Sequence, residues 1–336
     1  MTLAATESVP LLPPNRRPVY TNWTRTAIQT AIEQENLLGG TIMLPAFICQ
    51  DSFEPLFERC NLTPVFVDID PSTYHMDIDL ARERIGEVDA VILVHAFGLP
   101  AAMNAWVNLC NDHDVALIED CARALGARRN ERLVGSDGSY AMYSLMKVSP
   151  ASKGGLLVMP ESSPKPTLNR PTYGVDAWYN LFPDRIRESL SVNYPYEIES
   201  RQLDAITRRT FERYARTEYL DNMGENRANA ERLRDALEPL GFEFQRDANG
   251  RIYPLVPVTT PCDRDALSHF LGSYHVPHKT LWGNPWAKTW TGAEFADRFP
   301  NSANLADRCL QFDVLNMTDE DVEFAIDRTR DFVETF

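Results

Sequence analysis

The chain has 336 residues, 44% of them apolar and 24% charged, with 33 Lys and Arg against 48 Asp and Glu for a net charge of −15. That length exceeds a single small core and predicts about two domains of an ordinary globular protein, not a disordered one. The acidic balance argues against a nucleic-acid or anionic-membrane partner.

Residues 1–18, MTLAATESVPLLPPNRRP, are Pro-rich and predict an extended N-terminal arm. They lack the basic-then-apolar order of a signal peptide, and no apolar run approaches the about 18 residues of a membrane span. From about residue 20 to 160, short runs rich in Val and Ile alternate with helical patterns. TIMLP (41–45), PVFVDID (64–70), AVILVHAF (90–97), VALIED (115–120) and GLLVM (155–159) read as strands. TAIQTAIEQENL (26–37), DSFEPLFERC (51–60), DIDLARERI (77–85) and NAWVNLCNDH (104–113) carry apolar residues at three- and four-residue steps and read as helices. Strands alternating with helices imply βαβ units and a mostly parallel sheet covered on both faces.

The order changes after residue 160. A Pro-rich loop, ESSPKPTLNRPTYG, precedes one or two long Arg-studded helices over 200–238. A strand YPLVPV (253–258) and a closing helix at 318–333 follow, with Thr318 and Asp321 as its capping pair. The pattern predicts a smaller C-terminal α+β domain, and the expected division is an arm 1–18, a large domain 19–215 and a small domain 216–336. The six cysteines (Cys49, Cys60, Cys110, Cys121, Cys262, Cys309) are widely spaced with no CxxC, which predicts reduced thiols in a cytoplasm rather than a disulfide frame or zinc site. No histidine spacing suggests a metal; His275 and His278 in HVPH read as a loop.

Ligands of an open α/β sheet bind beyond the carboxyl ends of its strands. Four features converge on that edge. Asp120 ends VALIED, His95 lies at the end of AVILVHAF, and Lys147 follows YAMYSL. NWTRTAIQTAI (22–32) places Thr24, Arg25 and Thr26 at a helix start, where free N–H groups and the dipole favour phosphate. The chain holds only five lysines beside 28 arginines, and a lysine alone can shed its proton and attack a carbonyl carbon. Together these parts suit pyridoxal phosphate: phosphate on the helix start, aldehyde on a lysine, ring nitrogen on an acid. Singly, each has a plainer reading, as a strand cap, a helix cap or a surface lysine.

The run from LPAFICQDSF through PVFVDIDPSTYHMDID, VHAFGLPAAM and IEDCARALGA to GSDGSYAMYSLMKVSPASKGG resembles the DegT/StrS family of pyridoxal-phosphate-dependent sugar aminotransferases. The likeness spans about residues 20–160 and resumes more loosely near the C-terminus. It implies fold type I, with a mostly parallel central sheet flanked by helices, and a homodimer whose active site is built at the interface. It implies an amino-acid donor, glutamate first, and a keto-sugar acceptor linked to a nucleotide. Lys147 matches the family's Schiff-base lysine and Asp120 the acid on the ring nitrogen. Thr26 and Ala27, with Arg25, match the phosphate-holding helix start, and Ser144 stands for its hydroxyl contact.

This chain departs from the family at several points. Arg123 replaces a common glutamine near the ring's phenolic oxygen, where it would stabilise a phenolate. Met142 replaces a serine. Phe47 and Cys49 compete for the place of a stacking aromatic, with Phe47 equally readable as core. His95, Asn193 and Trp282 are the expected substrate contacts, Asn193 standing for a residue lent across the dimer; Trp286 and Trp290 read either as substrate-facing or as packing. Two rival readings keep the cofactor: a dehydratase or amino-acid-acting enzyme of the same fold, and a non-catalytic binder. Dehydratase relatives carry histidine in place of the lysine.

Overall fold

The computed structural model describes residues 11–171, 200–281 and 283–335. The chain enters through strand β1 (Arg16–Thr21) and helix α1 (Thr24–Gln34), then alternates β2 (Thr41–Pro45), α2 (Gln50–Arg59), β3 (Thr63–Val67), α3 (Ile78–Arg84), β4 (Ala90–Val94), α4 (Met103–Asp112) and β5 (Ala116–Asp120). A two-stranded ribbon, β6 (Arg128–Arg129) and β7 (Arg132–Leu133), leads to β8 (Tyr140–Ser144) and β9 (Gly155–Pro160). Seven of these strands form one sheet in the order β1-β9-β8-β5-β4-β2-β3. From β3 to β8 neighbouring strands are parallel, whereas β9 runs antiparallel to both β8 and β1.

Alternation along the central strands sorts two cores. Ile42, Leu44, Ile92 and Ile118 face α1 and α2, where Ala27, Ile28, Ala31 and Ile32 meet them. Met43, Val91, Leu93 and Leu117 face the side of α3 and α4, against Ala81, Trp106 and Leu109. The predicted strands and helices of residues 26–160 recur within a few positions. The predicted arm is corrected at its end: Arg16, Pro18 and their neighbours are sheet strand, paired with Pro160 to Gly155. Pro18 lacks a donor, but β1 is an edge strand, where that is tolerated.

Beyond residue 200 come α5 (Ala205–Thr217) and α6 (Tyr219–Leu237), so the long helical region is two helices, parted at Glu218. Then follow β10 (Glu243–Phe244), β11 (Val256–Thr259), α7 (Arg264–Ser273), β12 (His278–Thr280), α8 (Gly292–Arg298), α9 (Pro300–Arg308), β13 (Cys309–Phe312) and α10 (Asp319–Thr335). The four strands make an antiparallel sheet, β10-β11-β13-β12, over a core of Leu233, Val258, Leu267, Leu310 and Ile326. Thr318 and Asp321 do exchange the reciprocal cap hydrogen bonds that start α10. His278 opens β12 rather than lying in a loop; its Nε2 is 2.9 Å from Ser268 Oγ.

Two ties lock the small sheet's surroundings onto the large one. Asp68, just past β3, accepts hydrogen bonds from the backbone N–H groups of Asn301 and Ser302 and from the Ser302 hydroxyl, capping α9 from a distance. A buried cluster of Phe47, Ile69, Tyr74, Phe97, Leu305 and Cys309 fills the seam. Among the described residues, no helix is long and apolar enough to cross a membrane.

Candidate active site

Asp120 is the last residue of β5, and Lys147 ends a 3-10 turn (Leu145–Lys147) directly after β8. β5 and β8 are parallel neighbours, with Asp120 opposite Met142. Hence 27 residues of separation collapse to one sheet spacing, and both side chains line a single pocket at the carboxyl edge. The turn that carries Lys147 is fixed by a bond from the Leu145 N–H to the Gly154 carbonyl, and Gly154 takes a φ of 123° that favours glycine.

The pocket gathers Phe47, Cys49, His95, Asp120, Arg123 and Lys147 from the residues expected on sequence grounds. It adds Tyr74 and Phe97, which carried no sequence signal beyond being aromatic. Phe97 has φ 51°, followed by Gly98 at φ 81°, and this left-handed pair turns the Phe97 ring beneath the Arg123 guanidinium, 5.8 Å from its centroid.

Asp120 is buried; its Oδ1 accepts the Ala122 N–H at 2.8 Å. Burial raises its carboxyl above the ordinary range, while the Lys147 charge, the Ala122 hydrogen bond and the Arg123 charge pull the other way. For Lys147, burial lowers the amine below the usual lysine range, Arg123 lowers it further, and Cys49 and Asp120 oppose that. A lysine so placed gives up its proton more readily than a surface one.

His95 does not face open space. Its Nδ1 accepts the Ala101 N–H at 3.0 Å, and its Nε2 lies 2.9 Å from Glu119 Oε2. The first bond assigns the ring proton to Nε2, as donor to Glu119. Glu119 also accepts from the backbone N–H groups of Gly135, Asp137 and Gly138. Burial works to raise the Glu119 carboxyl, but His95 and the Gly138 and Gly135 amides hold it below the usual range. His95, Glu119 and Cys121 lie close enough together to suggest a metal set. Glu119 and both His95 nitrogens already have partners, so the cluster reads as a structural strut.

The helix start sits on the same sheet face. By alternation Ser144 shares the side of Tyr140 and Met142, the side of α1, as Asp120 shares that of Ile118. Gly155 explains the Gly-Gly pair: a Cβ there would stand 2.5 Å from the Trp23 carbonyl oxygen and 2.6 Å from Thr24 Cα. Two expectations need correction. The backbone N–H groups of Thr26 and Ala27 are spent on the Trp23 carbonyl, and the Thr26 hydroxyl on Asn22 Oδ1, so neither residue offers a phosphate donor. Among the described residues, Thr26, Ala27, Arg25 and Ser144 are not in the pocket wall itself. Trp286 is buried, stacked on Phe57 and donating its Nε1–H to the Ala46 carbonyl, while Trp290 packs on Phe66 and Phe299; both are packing residues. Asn193 and Trp282 lie outside the described residues.

The donor set fits pyridoxal phosphate: an amine of lowered basicity, a buried carboxylate beside it, and a helix start into which a glycine lets the next strand press. The family model for the DegT/DnrJ/EryC1/StrS aminotransferase family matches residues 22–169. Over that segment, less than half of its length, the chain resembles this family. A UDP-N-acetyl-3-dehydro-alpha-D-glucosamine 3-aminotransferase of Acidithiobacillus ferrooxidans is 36% identical over 124 residues, covering 36% of this chain and 33% of that one. The chain thus spans about a third or less of the curated relatives it matches first. In three dimensions the likeness extends over nearly the whole chain. A 3-amino-5-hydroxybenzoic acid synthase superposes with TM-score 0.74 at 18% identity, covering 96% of this chain and 87% of that one. A GDP-4-keto-6-deoxy-D-mannose-3-dehydratase of E. coli, solved with hydrated pyridoxal phosphate, gives 0.71 at 16% identity, covering 94% and 88%. The fold is therefore fold type I, as the DegT/StrS resemblance implied.

Proposed function

We propose that the protein is a pyridoxal-phosphate-dependent aminotransferase that moves an amino group from an amino acid, glutamate as first choice, to a keto-sugar carried on a nucleotide. The observation that carries the reading is the meeting of Asp120 and Lys147 in one pocket at the carboxyl edge of the sheet. When bound, the cofactor supplies an aldehyde carbon for a primary amine and a ring that stores electrons. Asp120 would hold the proton on the ring nitrogen, a task suited to a buried carboxylate whose ionised form Lys147 and Arg123 favour. The Lys147 amine would take a proton from the substrate's α-carbon and return it one position away, acting as base and acid in turn. Thr24 and Arg25, with the Ser144 hydroxyl, would hold the phosphate. Phe47 and Cys49 would bound the ring.

The buried strut of Glu119 and His95 supports the loop 135–138 that leads into β8, and so keeps Lys147 at its station. His95 contributes to the pocket as wall rather than as a substrate ligand. The division into a large domain to 215 and a small domain beyond it is kept, with the arm ending before Arg16, and the separate cores under the two sheets support it. A homodimer in the cytoplasm, with Asn193 lent across the interface and Trp282 toward substrate, completes the proposal; free thiols at all six cysteines suit that compartment. Metal ions and nucleic acid have no part in it.

A dehydratase shares the fold, but the reading favours transfer because residue 147 is lysine. The test is spectroscopic. Purified protein given pyridoxal phosphate should turn yellow, lose the colour on borohydride treatment and lose it reversibly with glutamate, while Lys147→Ala does none of these. Colour without response to any amino acid would overturn the transferase assignment; no colour at all would overturn the cofactor.

A further inference from the structure

The pocket holds two cations and one committed anion. Lys147 and Arg123 both line it, and Asp120 is the carboxylate between them in the charge balance. Among the described residues, the Arg123 guanidinium makes no hydrogen bond or ion pair; its directional contact is the face of the Phe97 ring. Asp120 is the one carboxylate in the pocket wall; the Tyr74 hydroxyl pairs with Thr259 Oγ1, and the His95 nitrogens are engaged by Ala101 and Glu119. Asp313, whose charge Arg123 feels, is already paired with Lys279 at 2.6 Å.

Two cations sharing one buried carboxylate repel each other, and the repulsion is relieved when one sheds its proton. A guanidinium does not do so in proteins, whereas an ammonium does. Two consecutive left-handed residues, Phe97 and Gly98, place the ring that seats Arg123, and a non-glycine residue at φ 51° is backbone strain retained at a site. We propose that Arg123 is a positioning residue that competes with Lys147 for Asp120 and thereby favours the neutral, nucleophilic form of the Lys147 amine. An arginine here thus does for the lysine what a neutral side chain could not. The lowering of Lys147 basicity by burial and by Arg123 agrees with this. The use of that neutral amine rests on the aminotransferase reading, but its existence does not.

The test therefore needs no cofactor. With five lysines in the chain, reductive methylation with carbon-13 formaldehyde gives a small set of signals, and Lys147→Arg assigns the one of interest. In the full-length protein the Lys147 signal should titrate at lower pH than the other four. In Arg123→Gln its midpoint should rise by about one pH unit or more, and in Arg123→Lys it should stay within about half a unit of the parent. Titration of Lys147 together with the other lysines would overturn the proposal, and that result is available even if Arg123→Gln does not fold. An unmoved midpoint in Arg123→Gln would overturn it too, as would an equal rise in Arg123→Lys, which would make the effect one of packing. A chain that titrates as expected yet takes up no pyridoxal phosphate would sink the functional reading and leave this inference standing.

Discussion

Glu119 and Asp120 are adjacent in β5, yet their carboxylates serve opposite faces of the sheet. Glu119 accepts four hydrogen bonds, from His95 and three backbone N–H groups, and none of its partners belongs to the chemistry. Asp120 accepts one N–H and otherwise faces the cations of the pocket. The two-residue period of a strand makes this division possible with neighbouring residues.

The two acids should therefore fail differently. Glu119→Ala leaves His95, two buried amides and the half-buried Asp137 amide without an acceptor and should cost about 3 kcal/mol or more in urea unfolding. Asp120→Asn should unfold no more easily at pH 7. A carboxyl whose folded value is raised above its unfolded one disfavours folding once ionised, so removing the charge relieves that cost. Colour formation with pyridoxal phosphate should nevertheless be weakened in Asp120→Asn.

His75 makes stability depend on pH. It is buried, its Nε2 lies 3.0 Å from the Leu99 carbonyl oxygen, and burial pushes its ring down from 6.5 to about 3. The unfolded chain thus binds a proton that the folded chain refuses between those values. Stability from this residue is complete above pH 6.5 and falls as pH drops towards 3. Between pH 6.5 and 5 the loss should reach about 2 kcal/mol. Thermal melts of His75→Gln should show a shallower fall over that interval than the parent.

Asp68 holds α9 to the large sheet through two amides and a hydroxyl. Its removal strips a remote N-cap from a helix that begins with Pro300, whose missing N–H is no loss there. Asp68→Ala should cost about 2 kcal/mol or more. Limited proteolysis should open the chain around α9 before it attacks the large sheet.

Gly155 sets the distance between β9 and the start of α1. A methyl group at that position meets backbone, not a side chain that can swing away. Gly155→Ala should lower stability by about 1 to 3 kcal/mol, the range of an overpacked core. It should also weaken retention of pyridoxal phosphate by displacing Thr24 and Arg25. Gly224, with open space around it, is the control: alanine there should be harmless or slightly favourable within its helix.

Much of the large domain was legible in the chain itself. Short Val- and Ile-rich runs, amphipathic steps between them and the punctuation of Pro, Gly and Asp encode local backbone preference and which side of an element is buried. That is enough to order the strands along the chain, end β5 at Asp120 and end the turn after β8 at Lys147. Three-residue β12, with two exposed positions, carries no such period, and β1 hides among prolines because its pairing is with residues more than a hundred positions away.

The tertiary structure alone decided which distant groups share a pocket. Nothing in IEDCARALGA says that Arg123 will bear on Lys147 while the neighbouring Glu119 turns away to grip His95 and the loop 135–138. Nor does the helix pattern near residue 24 reveal that the Trp23 carbonyl consumes the N–H groups of Thr26 and Ala27. Local conformation follows from each residue's own sterics and hydrogen bonding. The charge balance of a buried site depends on distances set by sheet order, and those arise only when the whole core closes.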